Sequence, residues 1–572
     1  MTTKHNNPTK LKSLILIPLA NWLMLFFAIF VFFKNAWIAE DAYINFRSVE
    51  QLFAGNGPVW NPHERVQVYT SPLWYSIIAS TRFISADLYN NTITVSFLFF
   101  LILILITAKT YRNTQERFFI LTLAAFSSAF YDFTTSGLEN ILLYTLVAFL
   151  FYHCQKISKQ EFKNQNQTQK YLERALVTTG LLILTRHDML TLIWPTILLT
   201  IYYIFKSRTT TSAAWQSIKA FSPLMIFTIF SVIYYGYPFP NTAYAKLNTG
   251  ISSDALMNQG FLYIKNLIDN DPVTACTISF AMLMGLASRN CFNIAFSIGI
   301  ITNTLYIIRV GGDFMQGRFF STAFVLSALL AAKIIFDSEL TKKITNKASL
   351  VTNCLDKSKK GAESLVTDIA IKSINTPAIW LATFITLKNF TNPTLPITTD
   401  IEFRDNAINN GIANERGYYF PYLSLHSKLT FIPTESNPIF PQMQWSKIGL
   451  NIKNSDENVF IATSGNIGVT GYISGTKKII IDPLALSDPL LARKPISGEW
   501  RIGHFRREVP EEYIKTLTGD LQKMSSSTEN KYLEKITKIT RDKNLFAPDR
   551  LLAILEENLS LIKTKKITKN DY

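Results

Sequence analysis

The sequence predicts a polytopic α-helical membrane protein of about eleven transmembrane helices with a C-terminal soluble α/β domain. Three observations carry this. The 572-residue chain is 48% hydrophobic and only 17% charged, against roughly 25% charged in an average soluble protein. Its apolar residues are clumped into runs of about 15–21, the length a bilayer's hydrocarbon core asks of a helix. Lys and Arg, which dominate the net charge of +16, gather in the short loops between alternate runs, as the positive-inside rule expects. So large a positive charge also raises the question of nucleic acid. No basic–aromatic module or zinc signature accompanies it, so nucleic acid is not an expected partner.

Residues 1–33 begin with Lys4, Lys10 and Lys12 and continue into an apolar run over 14–33. That run is longer than a signal-peptide core and lacks a clean small-x-small cleavage site, so it reads as an uncleaved anchor with a cytoplasmic N-terminus. Further spans are expected at 91–108, 118–131, 138–153, 174–187, 189–205, 219–235, 273–288, 291–308, 319–335 and 375–390. This arrangement leaves Lys109, Arg112 and Arg117, then Lys156, Lys159, Lys163 and Lys170, then a lysine-rich 336–374 loop, on the inside. It puts the C-terminus outside. Cys154 and Cys354 fall in inside loops and Cys276 and Cys291 in spans, so no disulfide is expected, and their spacing suits no metal. Residues 1–390 form the membrane domain and 391–572 the soluble one.

Polar chemistry gathers on the outside face. The long first loop, 34–90, starts with Glu40-Asp41 directly after the first span. The bland reading of such a pair is a solvated flank; the other outside loops argue for more. Arg186-His187-Asp188 interrupts an almost continuous apolar stretch, and Arg309, Asp313 and Arg318 surround the Gly311-Gly312 pair. A charge at a helix centre costs about 2.5–3.5 kcal/mol on insertion scales, so these groups mark outside turns or a polar cavity. The aromatic run Leu73–Ile84 reads as a helix lying along the membrane surface.

In the soluble part, Val459–Thr463 reads as a buried strand and Lys478–Asp482 as the next, with the Gly-rich 464–471 stretch and a short helix between. That stretch lacks a P-loop lysine and the dinucleotide spacing, and reads as a packed turn. The Lys/Glu-rich tail after about 522 reads as helical.

Taken together, Glu40-Asp41-Ala42-Tyr43-Ile44, Asn61-Pro62-x-Glu64-Arg65-Val66 and Tyr69-Thr70-Ser71-Pro72-Leu73-Trp74 resemble the first loop of a family of GT-C membrane glycosyltransferases. These are the terminal β-(1→2)-arabinofuranosyltransferases and their relatives, including the LphB proteins. Ser136-Gly137-Leu138-Glu139, Pro238-x-Pro240-Asn241-Thr242-x-Tyr244-Ala245-Lys246, Gly311-Gly312-Asp313-Phe314-Met315-x-Gly317-Arg318, Asp482–Pro489 and Gly503-His504 extend the likeness in order over nearly the full length. Two departures stand out. The family's first loop usually opens with two aspartates, where this chain has Glu40. Its usual Arg-Pro-Glu-Gly is here Arg186-His187-Asp188-Met189.

The resemblance implies a bacterial inner-membrane enzyme that takes a sugar from a polyprenyl-phosphate donor, on the outer side, to a cell-envelope glycan acceptor. An inverting transfer needs a carboxylate to accept the acceptor's proton; Asp41 is expected as that base, with Glu40 orienting the acceptor or holding a cation. The leaving phosphate needs basic partners, for which Arg186, Lys246, Arg309 and Arg318 lie on the right side. Tyr43, His63, Arg65, Trp74, His187 and Asp313 are the expected substrate contacts. No cofactor is implied with certainty, a divalent cation being the one candidate. The rival readings are a flippase or transporter for lipid-linked sugars and a receptor or assembly scaffold. Transporters favour mid-membrane charges and repeated halves, and neither is seen.

Overall fold

The computed structural model describes residues 8–160, 165–207, 209–247, 249–337, 408–435, 438–462, 466–518 and 527–563. The first helices are α1 (Pro8–Lys34), α2 (Ala42–Phe53), α3 (Pro72–Thr81), α4 (Leu88–Thr110), α5 (Thr114–Phe126), α6 (Ser128–Thr134), α7 (Asn140–Gln160) and α8 (Gln165–Thr185). There follow α9 (Leu190–Ser207), α10 (Thr210–Tyr235), α11 (Asn241–Leu247), α12 (Ser253–Asn270), α13 (Pro272–Leu286), α14 (Cys291–Arg309) and α15 (Arg318–Asp337). Beyond residue 407 come a hairpin, β1 (Ile408–Asn409) and β2 (Ile412–Ala413), then α16 (Glu415–Leu423), α17 (Leu425–Leu429) and α18 (Gln444–Asn454). A second strand pair, β3 (Val459–Ile461) and β4 (Ile479–Ile481), flanks α19 (Gly468–Ser474); α20 (Glu511–Thr518), α21 (Ser527–Arg541) and α22 (Pro548–Lys563) close the chain.

Among the described residues six helices are long and apolar enough to cross a membrane, starting at Leu88, Asn140, His187, Thr210, Cys291 and Arg318, and the shorter Asn21–Lys34 and Pro272–Leu286 are apolar too. Every expected span before residue 336 except 118–131 coincides with a helix or most of one; the span at 375–390 and Cys354 lie outside the described residues. The expected 118–131 span is corrected. The helix stops at Phe126, because Ser127 turns extended and caps α6 instead, its side chain accepting from Phe130 N at 3.1 Å. Asp271 reinforces the break, accepting from Ala129 N at 2.9 Å while it caps α13. Cys154 is buried within α7, which runs past the expected loop start; Cys276 and Cys291 are free and exposed.

Helix α7 packs on α4, α8 and α15, and α9 on α14. The outer side of α10 leaves Trp215, Met225, Ile226 and Ile229 at least half exposed. A helix apolar on its exposed face as well as its packed one belongs in hydrocarbon. After α14 the chain reverses at Gly311-Gly312, as the sequence leads one to expect. Gly312 has φ +75°, and an added Cβ would lie 2.5 Å from the Tyr263 ring.

The expected strand–helix–strand unit is present. β3 and β4 pair in parallel, Val459 opposite Ile479 through Ile461 opposite Ile481, with α19 as the crossover. The first loop grips this unit. Asn61 accepts from Ile480 N at 2.9 Å and donates to Ile480 O at 3.1 Å, acting as a strand-edge partner. The buried Arg47 guanidinium donates to Trp60 O (3.0 Å), Gly475 O (2.7 Å), Lys478 O (2.7 Å) and the Gly471 carbonyl. These carbonyls include the C-terminal end of α19, where a cation is favoured. Ile44, Trp60 and Val68 share one apolar cluster with Ala462, Ile467 and Ile480, so loop and C-terminal region fold on each other.

Candidate active site

The backbone around residue 40 is threaded between two other segments. Trp37 Nε1 donates to Asp132 O (2.7 Å) and Ala39 N to Ser136 O (2.7 Å) on one side, and Ile38 N to Leu423 O (3.0 Å) on the other. These pairings set Asp41 at the N-cap of α2, yet its side chain makes no capping bond. Among the described residues no hydrogen bond or ion pair engages the Asp41 carboxyl. Burial raises its pKa while Lys246 and Arg318 pull it back down, with Asp313 and Glu139 pushing it up again. Asp41 is therefore a half-buried carboxylate in a field of both signs.

Glu139, 2% exposed, bridges Arg186 at 3.3 Å and Arg318 at 3.4 Å. Arg186 also holds Asp188 through Nε–Oδ1 at 2.9 Å and an Nη2–Oδ2 contact. Burial disfavours the Arg186 charge, but Asp188 and Glu139 outweigh it and raise its pKa. Arg318 reaches Asp313 at 3.8 Å. Three carboxylates and two guanidiniums thus form one lattice, assembled from the ends of α7, α8 and α15 and the 311–317 turn.

Lys246, on the short helix α11, differs. Its ammonium lies 5.4 Å from the Phe314 ring centre, and among the described residues no carboxylate pairs with it. It is held from behind. Asn241 donates to Ala485 O (2.9 Å) and Asp488 O (3.1 Å), and Arg507 reaches the Ala245 carbonyl. The Asp482 carboxylate folds that loop by accepting from Leu484 N (2.9 Å) and Leu486 N (2.8 Å). His504 stands edge-on to Phe314 at 4.6 Å; burial and Arg501 push its pKa down to about 4.

Of the expected residues, Asp41, Arg186, Lys246, Asp313 and Arg318 converge. Glu40 does something else. It is 5% exposed, and its Oε1 accepts from Val469 N at 2.8 Å, at the start of α19. The Gly-rich turn is packed against it so tightly that a Cβ on Gly468 would lie 2.2 Å from Glu40 O. The place a helix N-terminus offers to an anion is here filled by the protein's own carboxyl group. Burial and Asp41 raise the Glu40 pKa to about 8.

Trp74 also corrects the expectation. It is fully buried, its Nε1 donating to Gly137 O at 2.8 Å, and the exposed apolar side chains near α3 are Phe83 and Ile84 beyond its end. His63 lines a solvent-open cavity with Asn56 and Lys477. Arg65 donates to Asp542 O at 2.6 Å and so fastens the chain that follows α21. Tyr43 packs on Phe46 and Tyr472, His187 stands edge-on to Phe239, and Arg309 is exposed at the end of α14. Among the described residues no group of three or more His, Cys, Asp or Glu side chains is placed to hold a metal ion. The sequence reading did not single out Glu139, Glu415 or Arg501. Glu139 and His504 stood in motifs; Glu415 and Arg501 had no such signal.

No family model matches the chain. It is 26% identical over 325 residues to a terminal β-(1→2)-arabinofuranosyltransferase of Mycobacterium tuberculosis, covering 50% of each chain. It is 28% identical over 337 residues to the protein of the same name from Corynebacterium glutamicum, covering 51% of this chain and 47% of that one. The chain thus spans about half the length of these curated relatives. Among solved structures it is similar to ArnT from Cupriavidus metallidurans bound to undecaprenyl phosphate (TM-score 0.45, 10% identity, 80% of this chain and 85% of that one). An Archaeoglobus fulgidus oligosaccharyltransferase is also similar (TM-score 0.39, 11% identity, 81% of this chain and 64% of that one). The likeness to terminal β-(1→2)-arabinofuranosyltransferases read from the motifs is matched by two curated proteins of that name over half of the chain.

Proposed function

We propose that the chain is an inverting glycosyltransferase that moves a sugar from a polyprenyl-phosphate donor to a cell-envelope glycan acceptor, on the outer side of a bacterial inner membrane. The observation that carries this reading is the unengaged Asp41 carboxylate with Lys246 and Arg318 in its field. An acceptor hydroxyl attacks the anomeric carbon from the face opposite the phosphate. As the new C–O bond forms, its proton passes to Asp41, and the anomeric carbon–oxygen bond breaks with its electron pair leaving on the lipid phosphate. Negative charge grows on that phosphate, and a cation placed there favours the transition state over the ground state.

Lys246 is the first candidate for this role, because its charge is not already neutralised by a carboxylate. Arg186 and Arg318 are each tied to two, so they fix the site's shape and field. The likeness to arabinofuranosyltransferases favours a pentose, and the sugar is left open. The test supplies labelled polyprenyl-phosphate sugars to membranes containing the protein and follows free lipid phosphate together with label in glycan. Coupled release and transfer supports the reading; lipid transport without bond cleavage would replace it with a flippase.

A further inference from the structure

The transfer described above makes no use of Glu415, the first residue of α16. Its place is fixed by backbone pairings from two sides. Ahead of it, Ala413 N donates to Phe314 O (2.8 Å) and Gln316 N to Ala413 O (3.0 Å), joining it to the turn that carries Asp313. Behind it, Leu425 N donates to Ala36 O (2.8 Å) and Ile38 N to Leu423 O (3.0 Å), joining it to the loop that carries Asp41. The segment 413–425 is thus wedged between the two loops that build the site. Asn414 caps α16 by accepting from Gly417 N at 2.9 Å, so Glu415 is not needed for that task.

The charged and titratable groups facing Glu415 are Asp41 and Glu40 from the first loop, Asp313 from the 311–317 turn, Arg501 from the 501–504 turn and Tyr419 from its own helix. Arg501 spends its Nε on Gly411 O at 2.8 Å. Among the described residues no hydrogen bond or ion pair engages the Glu415 carboxyl. An acid in the first turn of a helix is ordinarily a solvated, dipole-stabilised anion. This one instead is partly buried, with Asp41, Glu40 and Asp313 all disfavouring its charge.

We propose that Glu415 is a further substrate-positioning residue, a carboxyl group that the C-terminal region presents to the sugar at Asp41. The inference rests on the transfer reaction proposed above. Burial, and then Asp41, push this carboxyl above the ordinary carboxylate range, which favours its protonated form. A protonated carboxyl donates one hydrogen bond, which a carboxylate cannot, and a sugar hydroxyl accepts it. Asp41 is then left as the ionised partner that receives the acceptor's proton. The useful form of Glu415 is complete below its pKa and is lost as pH rises through it, when a second negative charge would stand beside Asp41 and the leaving phosphate.

The test compares lipid-phosphate release by the wild type, Glu415→Gln and Glu415→Ala from neutral to alkaline pH, with the thermal midpoint of each variant in detergent as a check on folding. Gln mimics the protonated acid. It is expected to keep neutral-pH turnover and to abolish the wild type's alkaline fall, while Ala loses roughly tenfold in kcat/KM, about one hydrogen bond. A Gln variant with the wild type's alkaline fall intact, or an Ala variant equal to the wild type at every pH, overturns the proposal. Either result leaves the transfer reaction standing. A wild type that releases no lipid phosphate from any donor would sink that reaction, and this inference with it.

Discussion

Replacing Glu139 by Gln removes the charge that joins Arg186 and Arg318, and its consequences follow from the lattice around it. Taking one partner from a buried ion pair costs about 3–5 kcal/mol, since the remaining charge stays desolvated. Each guanidinium retains a second carboxylate, Asp188 for Arg186 and Asp313 at 3.8 Å for Arg318. The loss should therefore fall at the low end, about 3 kcal/mol, and a clear drop in thermal midpoint is expected. The same change acts on catalysis. Glu139 raises the Asp41 pKa, and Arg318, now more weakly neutralised, lowers it, so both effects move Asp41 downward. A base works only when ionised, and Asp41 acts above its pKa and fails as pH falls through it. The acid limb of kcat/KM for lipid-phosphate release must then shift to lower pH in Glu139→Gln. An unchanged thermal midpoint together with an acid limb fixed in place, or moved to higher pH, would refute the lattice as described.

Other outcomes follow from single contacts. Arg47→Met strips the carbonyls of Gly475 and Lys478 of their donor and leaves Trp60 O to Gln51 alone, and should cost at least about 3 kcal/mol, read as faster proteolysis of the C-terminal region. Lys246→Ala should raise the donor KM by at least about tenfold, the worth of one charged hydrogen bond to phosphate, with partial recovery in Lys246→Arg; an unchanged KM would move the phosphate elsewhere.

Much of this was legible in the chain because hydrophobic length and turn chemistry are local. The apolar runs, the Gly311-Gly312 reversal and the strand–Gly turn–strand order over 459–481 could be read from adjacent residues; Asp41 and Arg318 were found because charges flanking apolar runs are costly and therefore informative, and Lys246 through the motif it ends. What escaped the reading depends on contacts distant in sequence. Glu40 looks like the twin of Asp41, yet Val469, 429 positions away, engages its carboxylate. Trp74 has the composition of a membrane-surface residue, but Gly137 takes its indole N–H and buries it. Arg65 sits in a first-loop motif and is spent on the backbone after α21. Glu415 stands in Asn414-Glu415-Arg416-Gly417, far from any apolar run or motif; the pairing of Ala413 with the Asp313 turn brings it to the site. Ser127 reads as a tolerated polar residue in an apolar run, and it ends the helix because Asp271 is there to bond Ala129.

The most direct measurement takes Asp41→Asn at matched expression and records two quantities: affinity for a polyprenyl-phosphate sugar and its turnover into glycan. Donor binding should stay close to the wild type, since Lys246 and the Glu139 lattice are untouched, while turnover is lost. Turnover equal to the wild type would contradict Asp41 as the base of the transfer.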